Sequence, residues 1–435
     1  MEEPIINVGI ITESKIDFIL LSTYKFGNEE VSGPQSVEFK DNRIVWNGKY
    51  YTELLFTPRF AATDSFELSN VTIGIKFHWE RKENQRFLGS LKIIMDDDNK
   101  LTAINQISIE EYLTSVISSE MSANASLELL KAHAVISRSW VLSNIDKQKV
   151  TKTAETYIKT EDGYLKWYDR QAHTRFDVCA DDHCQRYEGI TKISTPSVKQ
   201  AIAETFGEAL TYDGTICDAR FSKCCGGIFE EFENCWENTT FSYLHKKRDS
   251  LSVNWVPNLK REEDADKWIR SSPEAFCNTK SKEILSQVLN NYDQETKDFY
   301  RWKVKYSQAE LSAIIKDKSG IDFGEIIDLI PVERGTSGRL IRLKIVGTKK
   351  VLTIGKELEI RRILSNSHLY SSAFVVEKFD ISDKNIPDSF ELIGAGWGHG
   401  VGLCQIGAAV MGAKGYGYNE ILHHYFRGAK IEKLY

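Results

Sequence analysis

The sequence predicts an α+β fold, strand-rich in its N-terminal and central regions, with a small helical subdomain and closing C-terminal helices. Three observations lead there. Residues 1–100 hold short β-type runs broken by Gly, Asn and Asp turns, Ser108 opens a helical pattern, and a glycine-alternating run near the C-terminus precedes two more helical patterns. With 435 residues, 41% of them hydrophobic and 27% charged, the chain has ordinary globular composition and enough length for two or three subdomains. A net charge of −6 offers no polycation for nucleic acid and no general attraction to anionic membranes. No apolar run approaches the roughly 20 residues that span a bilayer. The acidic start Met1-Glu2-Glu3-Pro4, followed by strand-like alternation, does not read as a signal peptide.

Residues 5–11, 18–22, 43–51 and 71–79 read as strands. Residues 88–95 and 101–107 flank the turn Asp96-Asp97-Asp98-Asn99 and form a hairpin pattern. Ser108 with Glu111 three residues on reads as a capping box, followed by the apolar stripe Tyr112, Leu113, Val116 and Ile117. A second helix is expected over about 126–144, with Leu127, Leu130, Ala134 and Val141 on one face. Glu120 therefore falls at the mouth of the connection between two helices. Residues 244–299 are charged and read as an inserted segment. Strands resume at Tyr300, with a helix near 308–316, a turn at 335–338 and helices near 405–414 and 419–426. The expected organisation is a β-rich N-terminal extension (1–86), a first core part (87–243), the insertion (244–299) and a second core part (300–435).

The most informative stretch is Gly394-Ala395-Gly396-Trp397-Gly398-His399-Gly400-Val401-Gly402-Leu403-Cys404-Gln405. In an extended segment alternate residues share a face, so this run would present one face without side chains and another with Trp397 and His399. Another backbone, or a flat polymer such as a sugar chain, can approach a bare face closely. A tightly packed glycine-rich loop would show the same pattern.

This string, its continuation through Gln405-Ile406-Gly407-Ala408, and the stretch from Gly415 to Gly428 resemble the signature of the SpoIID/LytB family. A second segment resembles the family's other hallmark: Glu110-Glu111-Tyr112-Leu113, Ser119-Glu120-Met121, Leu130 to Val135 and Ser137-Arg138-Ser139-Trp140. The sequence departs from the pattern at Ser122, where a proline is usual, at Cys404, where a small residue is usual, and in the insertion after Leu244. Phe221-Ser222-Lys223-Cys224-Cys225-Gly226-Gly227 also resembles a family segment, which usually has small polar residues before the two glycines.

The resemblance implies lytic transglycosylation of peptide-stripped peptidoglycan strands, with Glu120 as the acid. Such a cleavage needs a proton delivered to the leaving oxygen, which a carboxyl group in a partly apolar setting can hold near neutral pH. Glu111 is a poor second carboxylate, because nine residues of helix at about 1.5 Å each place it some 13 Å away. Arg138, Trp397, His399, Gln405 and Ser222 are candidate substrate-binding residues. A surface or capping ion pair is the competing reading for Arg138, and a turn is the competing reading for Ser222.

His173, Cys179, His183 and Cys184 have the donor types of a tetrahedral Cys₂His₂ zinc site, and similar Cys/His positions hold zinc in some relatives. Four protein ligands leave no open position, so such a zinc would be structural. A Cys179–Cys184 disulfide is the alternative, and Cys217, Cys224, Cys225 and Cys235 read as buried thiols or as one or two disulfides. The functional expectation is a cell-envelope or periplasmic transglycosylase acting on glycan strands. Two other readings stand beside it: a non-catalytic peptidoglycan-binding module that stimulates a cell-wall amidase, and, more weakly, a zinc hydrolase.

Overall fold

The computed structural model describes residues 2–74, 80–96, 98–122, 125–168 except 151–155, 173–181, 184–191, 194–253, 255–288 and 298–435, without the side chains of 147–150. The strand Ile5–Glu13 pairs antiparallel with Leu101–Ser108, from Ile5 opposite Ser108 to Glu13 opposite Leu101. Leu101–Ser108 also pairs with Ser90–Met95, closing the expected hairpin. The sheet continues through Glu53–Pro58, Lys15–Phe26, Glu29–Lys40, Arg43–Trp46 and Lys49–Tyr51. The boundary expected at 86/87 thus falls inside the strand Arg81–Leu88, and both sides of it belong to one sheet. The physical reason is pairing: Ile5–Glu13 covers the edge that Leu101–Ser108 would otherwise leave open.

The run expected as one strand over 43–51 is a hairpin. Asn47 and Gly48 turn it at φ +48° and +74°, the left-handed pair that a two-residue connection requires. The strand expected over 71–79 is found as Ser65–Ile73, and 75–79 lie outside the described residues.

Helix α1, Ile109–Glu120, begins where the Ser108 side chain accepts the Glu111 N–H, and it buries Tyr112, Leu113, Val116 and Ile117. Helix α2, Leu127–Val150, follows after a short connection. Both pack in the main core with the N-terminal sheet and the helices Gln405–Ala413 and Tyr418–Tyr425. A second core lies between the sheet strands Ile326–Arg334, Leu340–Gly347, Arg301–Ser307 and Pro387–Ala395 and the helices Gln308–Ser319 and Glu357–Ile363. The charged 244–299 segment is embedded in the molecule. Cys277, Leu285 and Val288 join the main core, while Trp268 and Ile269 pack on Val375 and Ile393. Its helices Glu262–Arg270 and Lys282–Val288 were illegible as helices beneath the charge.

The glycine run is not the bare-faced strand that its alternation suggests. Only Gly394 lies in a strand, Pro387–Ala395. Gly396, Gly398, Gly400 and Gly402 sit at φ +76°, +88°, +76° and +73°, so the alternation records repeated left-handed residues. The backbone bends around Arg339, whose guanidinium donates to the carbonyls of Gly398 and Cys225 and to Ser337 Oγ. A Cβ on Gly400 would lie 2.5 Å from Arg339 Nη1. Gly400→Ala is therefore expected to destabilise by more than the about 1–2 kcal/mol of a left-handed residue alone. Gly415, at φ +87° with open space around it, is the control. Equal losses of melting temperature for Gly400→Ala and Gly415→Ala would remove the packing argument.

Candidate functional site

Glu120 is the last residue of α1 and is half-buried. Its Oε1 accepts the backbone N–H of Arg186 at 3.3 Å. That amide belongs to a loop which starts at the short strand Val178–Cys179, paired parallel with Ile5–Glu13 at Val8 and Gly9. Tyr187 then packs on Tyr112 of α1, ring centroids 5.1 Å apart, and donates its O–H to Asn105. Tyr112 donates to Gln185 Oε1 at 3.3 Å. Burial pushes the Tyr112 phenol far above its ordinary range, and negative charge on Cys184, Cys179, Tyr187 and Glu120 adds to this, so Tyr112 remains a donor.

The same loop holds the Cys/His group. The donor atoms of His173, Cys179 and Cys184 lie within 4.8 Å of one another. The Cys179 N–H points to Cys184 Sγ at 3.4 Å, and His173 rests on Phe176 at a centroid distance of 4.7 Å. Gly9 makes room for that ring, since a Cβ there would meet Phe176 at 2.6 Å. Two thiols and an imidazole at this spacing fit a tetrahedral ion with Zn–S of about 2.3 Å. His183, the fourth expected ligand, lies outside the described residues. All eight cysteines carry free thiols.

The structure gathers Ser222, Trp397, His399 and Gln405 in one place. Phe221–Ser222 pairs parallel with Leu403–Cys404, and Cys224 bridges Trp397. Their surroundings differ from the sequence expectation. Trp397 is half-buried, stacked on Phe299 at 4.8 Å and tilted on Tyr370 at 4.6 Å. His399 accepts the Val401 N–H on Nδ1, hydrogen-bonds the Phe221 backbone, and packs on Trp236. Burial, with the nearby Arg220, Arg339 and Arg361 charges, holds its imidazole well below the usual range and so neutral. With its ring engaged by backbone on both sides, His399 is a strut of the glycine loop and not a free donor.

Gln405 is likewise interior, 2% exposed, with Nε2 3.2 Å from His133 Nε2. His133 in turn meets Ser137 Oγ, and burial, aided by Lys223, pushes its imidazole down to about 3. Ser222 is buried, and its Oγ has no partner among the described residues.

Arg138 requires a larger correction. It is fully buried and donates Nε and Nη2 to the two oxygens of Glu110, at 2.8 and 2.6 Å, and Nη1 to the Glu208 carbonyl. Glu110 also accepts from Gly207 and from Tyr435. The guanidinium ties α1, α2 and the C-terminus together and faces no open surface. Neither a substrate contact nor a surface ion pair describes it.

Residues that the sequence reading missed join the two motifs. The carbonyl of Gln287 accepts the Ser122 N–H just after Glu120, and Gln287 Oε1 accepts the Ser126 N–H. Lys223 Nζ donates to the Val288 carbonyl. The helix Lys282–Val288 of the charged segment thereby bridges the loop after the acid and the strand bearing Ser222.

Residues 97–212, which contain α1, α2 and the Cys/His loop, match the family model described as stage II sporulation protein, SpoIID. The chain carries a SpoIID domain. Residues 230–402, which end inside the glycine run, match a second model described as a domain of unknown function, DUF8618. An uncharacterized protein of Brachyspira hyodysenteriae is 23% identical over 94% of this chain and 95% of its own length. The amidase enhancer of Bacillus subtilis is 23% identical over 73% of this chain, and the match spans 40% of that longer protein. The stage II sporulation protein D of the same organism is 22% identical over 76% of each chain. The SpoIID domain thus holds Glu120 and the described Cys/His donors, while the glycine loop lies downstream of it. Among the described residues no helix is long and apolar enough to cross a membrane.

Proposed function

We propose that the protein is a peptidoglycan lytic transglycosylase acting on peptide-stripped glycan strands in the cell envelope or periplasm, with Glu120 as acid and then base. The observation that carries this reading is the standing of the carboxyl groups on α1. Glu110 is committed to Arg138, and Glu111 lies about 13 Å along the helix from Glu120. Two-carboxylate glycosidases need the pair about 5 to 9.5 Å apart. α1 therefore offers a single acid, which suits chemistry in which the sugar supplies its own nucleophile. Glu120 gives its proton to the glycosidic oxygen as the C1–O bond breaks. It then takes the proton of the C6 hydroxyl, whose oxygen closes on C1 to form the 1,6-anhydro ring. No water is consumed.

Trp397 keeps part of its surface exposed, and that part would contact a sugar face. A zinc ion held by His173, Cys179 and Cys184, with His183 as the expected fourth ligand, would be structural. It would stiffen the loop that presents the Arg186 N–H to Glu120.

A non-catalytic amidase enhancer is the second reading, favoured by the relative that bears that name. Mass spectrometry of products from purified peptide-free strands separates the two. Anhydro-ended sugars are the expected result. Reducing-end products would point to hydrolysis and to a second carboxylate, and glycan binding without cleavage would favour the enhancer.

A further inference from the structure

Outside the SpoIID segment, three stretches of chain bring cysteines to one buried point. Cys225 follows the Phe221–Ser222 strand, Cys277 comes from the charged segment, and Cys404 ends the Leu403–Cys404 strand at the cap of the helix Gln405–Ala413. Their sulfurs and a carboxylate oxygen of Asp249 all lie within 4.8 Å of one another, and all four residues are buried. Cys225 Sγ and Cys277 Sγ are 3.5 Å apart. We propose that Cys225, Asp249, Cys277 and Cys404 form a second metal site, which takes a single zinc ion as a structural centre.

The spacing selects the kind of metal group. Tetrahedral coordination with Zn–S of about 2.3 Å separates two sulfurs by about 3.8 Å, close to the Cys225–Cys277 distance. An iron–sulfur cluster places iron and sulfide between its cysteines and needs them further apart than one ion does. Three thiols and one carboxylate are a borderline-soft set that zinc accepts and that magnesium and calcium do not.

The surroundings resemble those of coordinated thiolates. Cys404 Sγ accepts the Cys225 N–H at 3.3 Å, and Cys225 Sγ accepts the Gly227 N–H at 3.4 Å. The carboxylate is held too: Oδ2 accepts the Cys277 N–H, and Oδ1 accepts the Tyr425 hydroxyl. Asp249 is 0% exposed, and the ionic partner the structure gives it is His424, at 3.4 Å. Lys247 Nζ stands behind that imidazole, 3.1 Å from His424 Nδ1, so the positive charge near Asp249 lies on its His424 side and a divalent cation would supply charge on its thiol side. Gly407 leaves the space, since a Cβ there would lie 2.7 Å from Asp249 Oδ2. Cys224, buried and next to Cys225 in the chain, stands beside the four.

Binding exchanges the ion for the protons of the coordinating thiols, which pass to solvent, and no oxidation is involved. Cys225 and Cys404 are places where this chain departs from the family pattern, and Asp249 and Cys277 come from the segment that resembles it least. The ion would clamp that segment to the glycine loop.

The test is zinc content of the whole chain, purified under reducing conditions and reloaded with zinc alone, for wild type, Cys184→Ser and Cys277→Ser. Cys184→Ser is expected to retain one equivalent of zinc, and Cys277→Ser to lose one relative to wild type. X-ray absorption of zinc in Cys184→Ser should show three sulfurs and one oxygen or nitrogen, and this needs no change in the site itself should Cys277→Ser fail to fold. A Cys184→Ser protein that folds yet holds no zinc would overturn the proposal, as would a Cys225–Cys277 disulfide in the mass spectrum of unreduced wild type. If the His173 group holds no zinc, wild type and Cys184→Ser both bind one equivalent and Cys277→Ser none, so the two sites are judged separately.

Discussion

Glu120→Gln protein is expected to bind peptide-free glycan strands as wild type does and to cleave them at least about 10²-fold more slowly, within the 10²–10⁴-fold range of general acid–base catalysis. The substitution removes the transferable proton and keeps the size of the side chain. The amide oxygen of Gln can still accept the Arg186 N–H, and the side chain is half-buried at a helix end. Melting temperature should therefore stay near wild type, which separates lost chemistry from lost structure. Product release would be followed by mass spectrometry at equal protein and strand concentration. Undiminished anhydro product from Glu120→Gln would remove Glu120 from the mechanism.

Arg138→Met is expected to show the largest loss of stability, about 3–5 kcal/mol, the cost of leaving one partner of a buried ion pair alone. Arg138 is fully buried, Glu110 nearly so, and among the described residues the carboxylate would keep Gly207 and Tyr435 as backbone and side-chain donors. Glu110→Gln/Arg138→Met carries no stranded charge and should recover part of the loss. Thermal unfolding of the two variants beside wild type reads this directly. Unchanged melting with weakened glycan binding would instead return Arg138 to the substrate-contact role that its motif suggests.

These two residues show how far local pattern reaches. The Ser108 cap and the stripe Tyr112, Leu113, Val116 and Ile117 specify a helix because their spacing matches its repeat, and α1 lies where that spacing places it. Arg138 occupies an equally recognisable motif, yet its partner Glu110 is 28 residues away, and no local spacing encodes that meeting. Gln405 and His399 are similar cases. Gln405 meets His133 and His399 meets the backbone of Phe221, both from distant parts of the chain, while the Val401 N–H that His399 accepts is local.

The glycine run marks the limit most clearly. Alternation at every second residue is legible, but a bare strand face and repeated left-handed backbone give the same letters. Arg339, more than fifty residues upstream, makes the difference, because the loop must leave room for its guanidinium. The charged 244–299 segment is another instance: surface charge masks the few apolar residues by which it joins two cores.

Periodicity, capping and turn chemistry in the sequence alone therefore determined the strands around 5–11, 18–22, 90–95 and 101–107, helices α1 and α2, the closing helices and the placing of Glu120 at a helix end, since each depends on neighbours within a few residues. Only the tertiary structure decided that Arg138 is an internal brace, that the glycines wrap an arginine, and that Cys225, Asp249, Cys277 and Cys404 converge. Those features are set by contacts between distant segments, whose energies no short stretch of sequence contains.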